Sequence, residues 1–444
     1  MTNTAGLLTK VIEQQGISRN KLIHDSSIDR SSFYQILSGR RPGTIEQYAR
    51  ILSQFKLTPG LTQQLLEEYG ARKYGNDFQQ YELVDSWMKR LSSAEGNTGR
   101  TVHGVKNQNT VIRDLKRIIL SQSDKNDADI CLYIPLRFFT KIWMETDIPK
   151  LLDSMQNPHS IRILVAIDFN EQEKTEQQLE LLFSFLFGLY HIRDFSRIVQ
   201  CIHRDATEEG TPFPYFAITD TAVFLMNFSC DKGESVKQKG IVKEYRSFFA
   251  KLTAQPYEYL EEYASLQEFL GSLYHRFDDN SGPGKMNRMA ERGLCMFKVC
   301  DAEMIRRYAQ PELHELLASY LSEFQKMQSV FLNSSSAMQG FIQDHSVMEN
   351  GIRISIDPLD AAKLCHKAES ADDILLLQDA QDHLPGNWTF VLFSTGELMI
   401  LPNWNCSQII SIHDPQLCHA FSAWFDVNHD MAMIRKELSE AAGI

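Results

Sequence analysis

The sequence predicts a multidomain α + α/β protein. It has an all-α N-terminal domain of five helices and a C-terminal α/β body with a mostly parallel sheet and two related halves. Three observations carry this prediction. At 444 residues the chain exceeds what a single core serves. Its first 70 or so residues break into short amphipathic segments bounded by caps and glycines. From residue 128 onward, nearly continuous apolar runs of strand length alternate with helical stretches, the pattern of a sheet covered on both faces.

The first helix spans residues 4–15, with Leu7, Leu8, Val11 and Ile12 on one face and Gly16 ending it. Ser18 caps a second helix that turns Leu22 and Ile23 inward, and Ser26-Ser27-Ile28 forms a turn. Asp29 caps a third helix, 30–38, which Gly39 stops, and Pro42-Gly43 breaks the chain. Thr44 and Gln47 have capping-box spacing at the start of a fourth helix with core face Ile45, Tyr48, Ala49 and Leu52. Thr58-Pro59 opens a fifth, carrying Leu61, Leu65 and Leu66.

This layout, with its short turn between helices two and three, is that of a helix-turn-helix. The stretch ISRNKLIHDSSIDRSSFYQILSGRRPGTIEQYARILSQFKLTP resembles the Cro/lambda-repressor (XRE-type) helix-turn-helix regulators. It does so in helix spacing, in the glycine after helix three and in the basic pair and proline that follow. It departs at Leu37, where many members carry glutamate, and at Asp25-Ser26-Ser27, where a small residue and glycine are usual. The resemblance covers roughly residues 5–70. It implies that helix three lies in the major groove of duplex DNA, with Arg30, Ser31, Ser32, Tyr34 and Gln35 meeting base edges. Arg40 and Arg41, and Ser18, Arg19 and Asn20, would then contact phosphates. By helical phase Phe33 and Ile36 face the core.

Charge agrees with that expectation. Residues 1–56 hold eight Lys/Arg and four Asp/Glu, so they carry +4 against a chain total of −12, leaving −16 on the remainder. Only the head would be drawn to phosphates. Proteins of this type read paired half-sites as two-fold dimers, so a homodimer on a pseudo-palindromic operator is expected.

Residues 73–127 read as a helical linker or dimer contact. It has a helix over 77–91, a polar glycine-bearing loop over 92–108 and an amphipathic helix over 107–121. Residues 128–276 and 286–444 read as two α/β domains joined by the polar stretch 277–286. Strands are expected at 128–135, 160–169, 198–205 and the hairpin 215–228 in the first. In the second they are expected at 351–357, 373–378 and the hairpin 388–403. Helices are expected at 135–153, 171–192, 236–275, 301–333 and 415–440, with a loop at Asn333-Ser-Ser-Ser. In both halves a hairpin precedes an aromatic-rich helix, the mark of a degenerate duplication.

The composition, 43% hydrophobic and 23% charged, is that of an ordinary globular protein and excludes the disordered and fibrous classes. Apolar runs such as 181–187 are too short to span a membrane, and the N-terminus lacks a leader's basic and apolar regions, so a cytoplasmic protein without membrane partners is expected. Eight cysteines without a C-x-x-C pair suggest reduced, mostly buried thiols. No phosphate-cradling glycine loop, H-E-x-x-H or G-x-S-x-G occurs, so neither catalytic residues nor a cofactor are expected. His413, Asp414, Cys418, His419 and Cys406 offer metal-ligating chemistry but fit an apolar helix face and polar surface better, so no metal is expected. The overall expectation is a transcription regulator whose body serves dimerisation and senses a small-molecule or protein effector. The alternative is an enzyme of unidentified chemistry with a fused regulatory DNA-binding head.

Overall fold

The computed structural model describes residues 6–95, 110–122, 129–146, 148, 161–167, 174–192, 199–203, 212–254, 259–282, 284–326, 328–349, 352–378, 383–404 and 407–442. Most of the expected 92–108 loop lies outside these residues. The chain is a mixed α/β protein with a helical N-terminal region. It divides into two units, one joining 1–92, 263–407 and 415–444, the other 93–262 and 408–414.

The N-terminal helices form where their caps predict. They are α1 (Leu7–Gln14), α2 (Arg19–Asp25), α3 (Arg30–Leu37), α4 (Ile45–Leu52) and α5 (Pro59–Tyr74). Ser18, Asp29, Thr44 and Thr58 each accept a hydrogen bond from a first-turn amide, and Gln47 closes the capping box on the Thr44 amide at 3.1 Å. Leu8, Val11, Leu22, Phe33, Ile36, Tyr48, Leu65, Leu66 and Tyr69 make their shared core. The α4 core face differs slightly from expectation, since Ile51 is fully buried and Ile45 only half-buried. Gly75 then leads into α6 (Asn76–Glu95), which buries Phe78, Trp87 and Leu91.

The second unit opens with α7 (Thr110–Leu120), whose Val111, Ile112, Leu115 and Ile119 are buried. There follow β1 (Ile130–Pro135), α8 (Leu136–Glu145), β2 (Ile161–Ile167), α9 (Thr175–Ile192), β3 (Val199–His203), β4 (Tyr215–Ile218), β5 (Val223–Met226), β6 (Gly233–Val236), α10 (Lys239–Thr253) and β7 (Leu260–Glu262). Six strands form one sheet in the order β3-β2-β1-β4-β5-β6, parallel across β3-β2-β1 and antiparallel from β1 to β6. The strand Gln408–Ile412 pairs antiparallel with β7.

The remainder of the first unit runs α11 (Leu266–Asp279), β8 (Asn287–Glu291), α12 (Met296–Val299), α13 (Ala302–Tyr308), α14 (His314–Lys326), β9 (Ser329–Ser334) and α15 (Ser335–Asp344). It continues with the hairpin β10 (Ser346–Glu349) and β11 (Ile352–Ser355), then α16 (Pro358–Ser370), β12 (Ile374–Leu377), β13 (Trp388–Leu392), β14 (Leu398–Pro402) and α17 (Pro415–Ala442). Five of its strands run β12-β9-β8-β13-β14, parallel across β12-β9-β8 and antiparallel from β8 to β14. In order of appearance this is third, second, first, fourth, fifth, the same as the first five strands of the other unit.

The expectation of a mostly parallel sheet is corrected to mixed sheets. The misleading signal was continuous apolarity. Strands β13 and β14 are buried at every position yet run antiparallel. An all-apolar strand reports cover on both faces rather than direction. The expected helix at 236–275 is interrupted by β7, and that at 301–333 gives way to β9 after α14. Within Asn333-Ser-Ser-Ser, Ser334 is the N-cap of α15, accepting from the Ala337 amide at 3.0 Å. Phe277, placed in the expected linker, is buried inside α11.

The helices at the N-terminus share the first unit's core. Helix α17 packs on α4 and α5, Trp87 sits edge-on to Phe390 and Phe421, and Tyr74 donates to the Asp426 carbonyl at 3.1 Å and to the Asp430 carboxylate at 2.8 Å. Arg435 donates to Gln63 at 2.5 Å. Among the described residues no helix is long and apolar enough to cross a membrane.

Candidate nucleic-acid interface

Helix α3 is held from both ends and from below. At its start the Asp29 carboxylate accepts from the Ser32 amide at 2.8 Å. The Ser32 hydroxyl foremost, and then this amide, hold the Asp29 carboxyl below the usual range. Along its length Phe33, Ile36 and Leu37 are buried, which accounts for a leucine at position 37 where the resembling regulators often carry glutamate. At its end Gly39 takes φ +71°, and the Arg40 and Arg41 amides return to the Gln35 carbonyl at 3.0 and 3.3 Å. Arg72 of α5 donates to the Ile36 carbonyl at 3.1 Å. The same guanidinium pairs with Glu68, whose carboxyl burial nonetheless pushes upward. The sequence reading missed Arg72. Its signal was the i, i+4 spacing from Glu68, indistinguishable from an ordinary helix-surface pair.

The opposite face of α3 carries the residues singled out for DNA. Arg30, Ser31, Tyr34 and Gln35 are exposed, and Ser32 is half-buried with its amide committed to Asp29. The Arg30 guanidinium stands 5.9 Å from the Tyr34 ring centroid, a cation–π contact between successive turns of the helix. Arg40 and Arg41 are exposed on the turn that follows. Ser18, Arg19 and Asn20 are exposed at the start of α2, where the Ser18 hydroxyl accepts from the Lys21 amide at 3.2 Å. The turn between α2 and α3 departs from the usual small residue and glycine without loss of geometry. Ser27 itself takes φ +53°, and the buried Ser26 hydroxyl donates to the Leu22 carbonyl at 2.5 Å. The arrangement can present cations and hydrogen-bonding side chains to a polyanion, with the helix fixed beneath them.

No group of three or more His, Cys, Asp or Glu among the described residues is placed to hold a metal ion. Cys418 is buried and donates to the Gly396 carbonyl at 3.0 Å, His419 pairs with Asp77 at 3.2 Å, and Cys406 lies outside the described residues. No protein-family model matches this chain, and no curated protein matches it.

Proposed function

We propose that the chain is a DNA-binding transcriptional regulator of the Cro/lambda-repressor type. Helix α3 reads the major groove through Arg30, Ser31, Ser32, Tyr34 and Gln35. Arg40, Arg41, Ser18, Arg19 and Asn20 grip the phosphates. The protein acts in the cytoplasm as a homodimer on a pseudo-palindromic operator, and its α/β body serves sensing and dimerisation. The observation that carries this reading is the two-sidedness of α3. One face is locked into a core, and the other offers an exposed arginine, serine, tyrosine and glutamine with two arginines at its end. The +4 charge of residues 1–56 on an otherwise acidic chain supports it.

The test is selection of bound sequences from random duplex DNA by the full-length protein at low salt. The expected result is two related half-sites about one helical turn apart, roughly 10 base pairs. Retention of no duplex above background would overturn the reading. On the selected site, Arg30→Ala should weaken binding by about 1–3 kcal/mol and relax preference at one base pair. Replacing Arg40 and Arg41 by alanine together should weaken all duplexes alike and lower the slope of log affinity against log salt by about 2.

A further inference from the structure

The first unit contains a cavity of about 300 Å³ that the DNA reading does not use. It opens at the C-terminal ends of the parallel strands β8 and β9, beside the point where the sheet turns to its antiparallel half. Open α/β sheets place ligands at such switch points. Its walls are aromatic, with Phe277 from α11, Tyr320 and Phe324 from α14 and Phe341 from α15. Glu291, the last residue of β8, also lines it, and Arg292 and Asp344 stand exposed at its rim with opposite charges.

The Glu291 carboxyl takes hydrogen bonds from Thr389, Cys295 and Asn333, and these serve it only in part. Its Oε1 is shut off from solvent and has no hydrogen-bond partner among the described residues. Its Oε2 lies 3.3 Å from the Thr389 hydroxyl, which has a second acceptor closer, the Asn403 side-chain oxygen at 2.9 Å. A hydroxyl has one proton to give. Asn333, the cross-strand neighbour of Glu291, donates its amide to the Gly293 carbonyl. Burial drives the Glu291 carboxyl up to about 7, and Thr389, Cys295 and Asn333 only partly offset it.

We propose that this cavity binds a small organic amine, with the ammonium seated against Glu291 and the apolar body among Phe277, Tyr320, Phe324 and Phe341. The ammonium places an opposite charge beside the carboxyl, and aromatic faces favour a cation near them. The size suits a ligand of one ring or a short branched chain. Strand β8 also carries Arg288, which grips Asp426 of α17 at 2.9 and 2.7 Å, and Tyr74 of α5 donates to the Asp426 carbonyl. On the reading of the chain as a DNA-binding regulator, the amine is therefore its effector, since the strand it touches is tied to the helix that holds α3.

The test is read without DNA, so it stands or fails separately from the DNA reading. Full-length protein at pH 8 is titrated calorimetrically with 2-phenylethylamine, benzylamine, tryptamine and 3-methylbutylamine, and with 2-phenylethanol and phenylacetate as neutral and anionic counterparts. At least one amine should bind saturably, with 2-phenylethanol tenfold weaker or worse and phenylacetate not binding. Glu291→Gln should weaken that amine at least tenfold. Gly340→Leu is the second variant. Gly340 lines the cavity and a Cβ there meets nothing within 4 Å, so the leucine fills the space and should abolish binding with Glu291 intact. No heat from any amine up to 10 mM (roughly −2.7 kcal/mol at 1 M standard state), equal binding of phenylacetate, or undiminished binding by both variants would overturn the proposal.

Discussion

The two sheets share a strand order and differ in chemistry at one place. Setting the hairpin ends Leu392 and Ile218 in correspondence aligns Arg288 with Cys131 by strand register. Continuing along the register, Glu291, Asn333 and Thr389 of the first unit fall where the second unit has Ile134, Val165 and Tyr215. The second set is apolar or aromatic and fully packed, with Ile134 and Val165 at 0% exposure. The first set is polar and borders a cavity. One architecture therefore carries buried apolar and aromatic side chains at these positions in one unit and polar ones bordering a cavity in the other. The same strand order accommodates either filling, so the strand order does not itself require the polar set. Functional sites are where stability is commonly given up.

The sharpest way to break this comparison is to move the carboxyl. Ile134→Glu places it at the corresponding position of the second unit. Ile134 is fully buried between β2 and β4. An unpaired buried charge belongs to the most damaging substitutions, so a loss of about 4 kcal/mol or more is expected. Urea unfolding followed by circular dichroism would check it. A loss under about 1 kcal/mol would mean that the second unit tolerates the polar filling as well, and the contrast would lapse.

The reverse exchange has the opposite sign and depends on pH. Burial raises the Glu291 carboxyl from 4.5 to about 7 in the folded chain. Below pH 4.5 it is protonated in both folded and unfolded states and costs nothing. As pH climbs from 4.5 through 7 the unfolded chain releases its proton first, and folded stability falls. At pH 8 the accumulated cost is about 3 kcal/mol, at 1.36 kcal/mol per pKa unit. Glu291→Gln removes it. The variant should unfold at higher urea than the parent at pH 8 and at nearly the same urea at pH 4.5. Equal midpoints at both pH values would show that Glu291 ionises freely and that burial does not hold its proton.

The difference between the units also explains what could be read from the residues in order. The helices α2 to α5 were legible because each announces itself locally, with Ser18, Asp29, Thr44 and Thr58 at the caps and Gly39 at an end. The exposed face of α3 followed from helical phase once Phe33 and Ile36 were assigned inward. The strands were legible as apolar runs, but their direction was not, because β4 and β13 are as buried as β1. The cavity left no trace in sequence. Glu291 meets Asn333 and Thr389 only through cross-strand register, 42 and 98 residues away along the chain. The seating of α17 on α4 and α5 was equally hidden, since an amphipathic helix does not name its partner.

A smaller effect sharpens the comparison from the side of the N-terminal helices, which only the first unit carries. Gly43 takes φ +84°, and a Cβ there would stand 2.7 Å from Ile36 Cδ1, in the last turn of α3. Gly43→Ala therefore meets two penalties, a backbone conformation that favours glycine and a clash with a buried side chain. The expected cost is about 1–2 kcal/mol. It should fall on the first unit, where Ile36 and Arg72 tie α3 to the shared core, and leave the second unit untouched. Hydrogen exchange read by mass spectrometry can separate the two. Protection should drop in segments covering α3 and α5 and stay unchanged in segments covering β1 and β4. If β1 and β4 lose protection equally, the units unfold together, and the cores that strand order makes look alike are one cooperative structure rather than two.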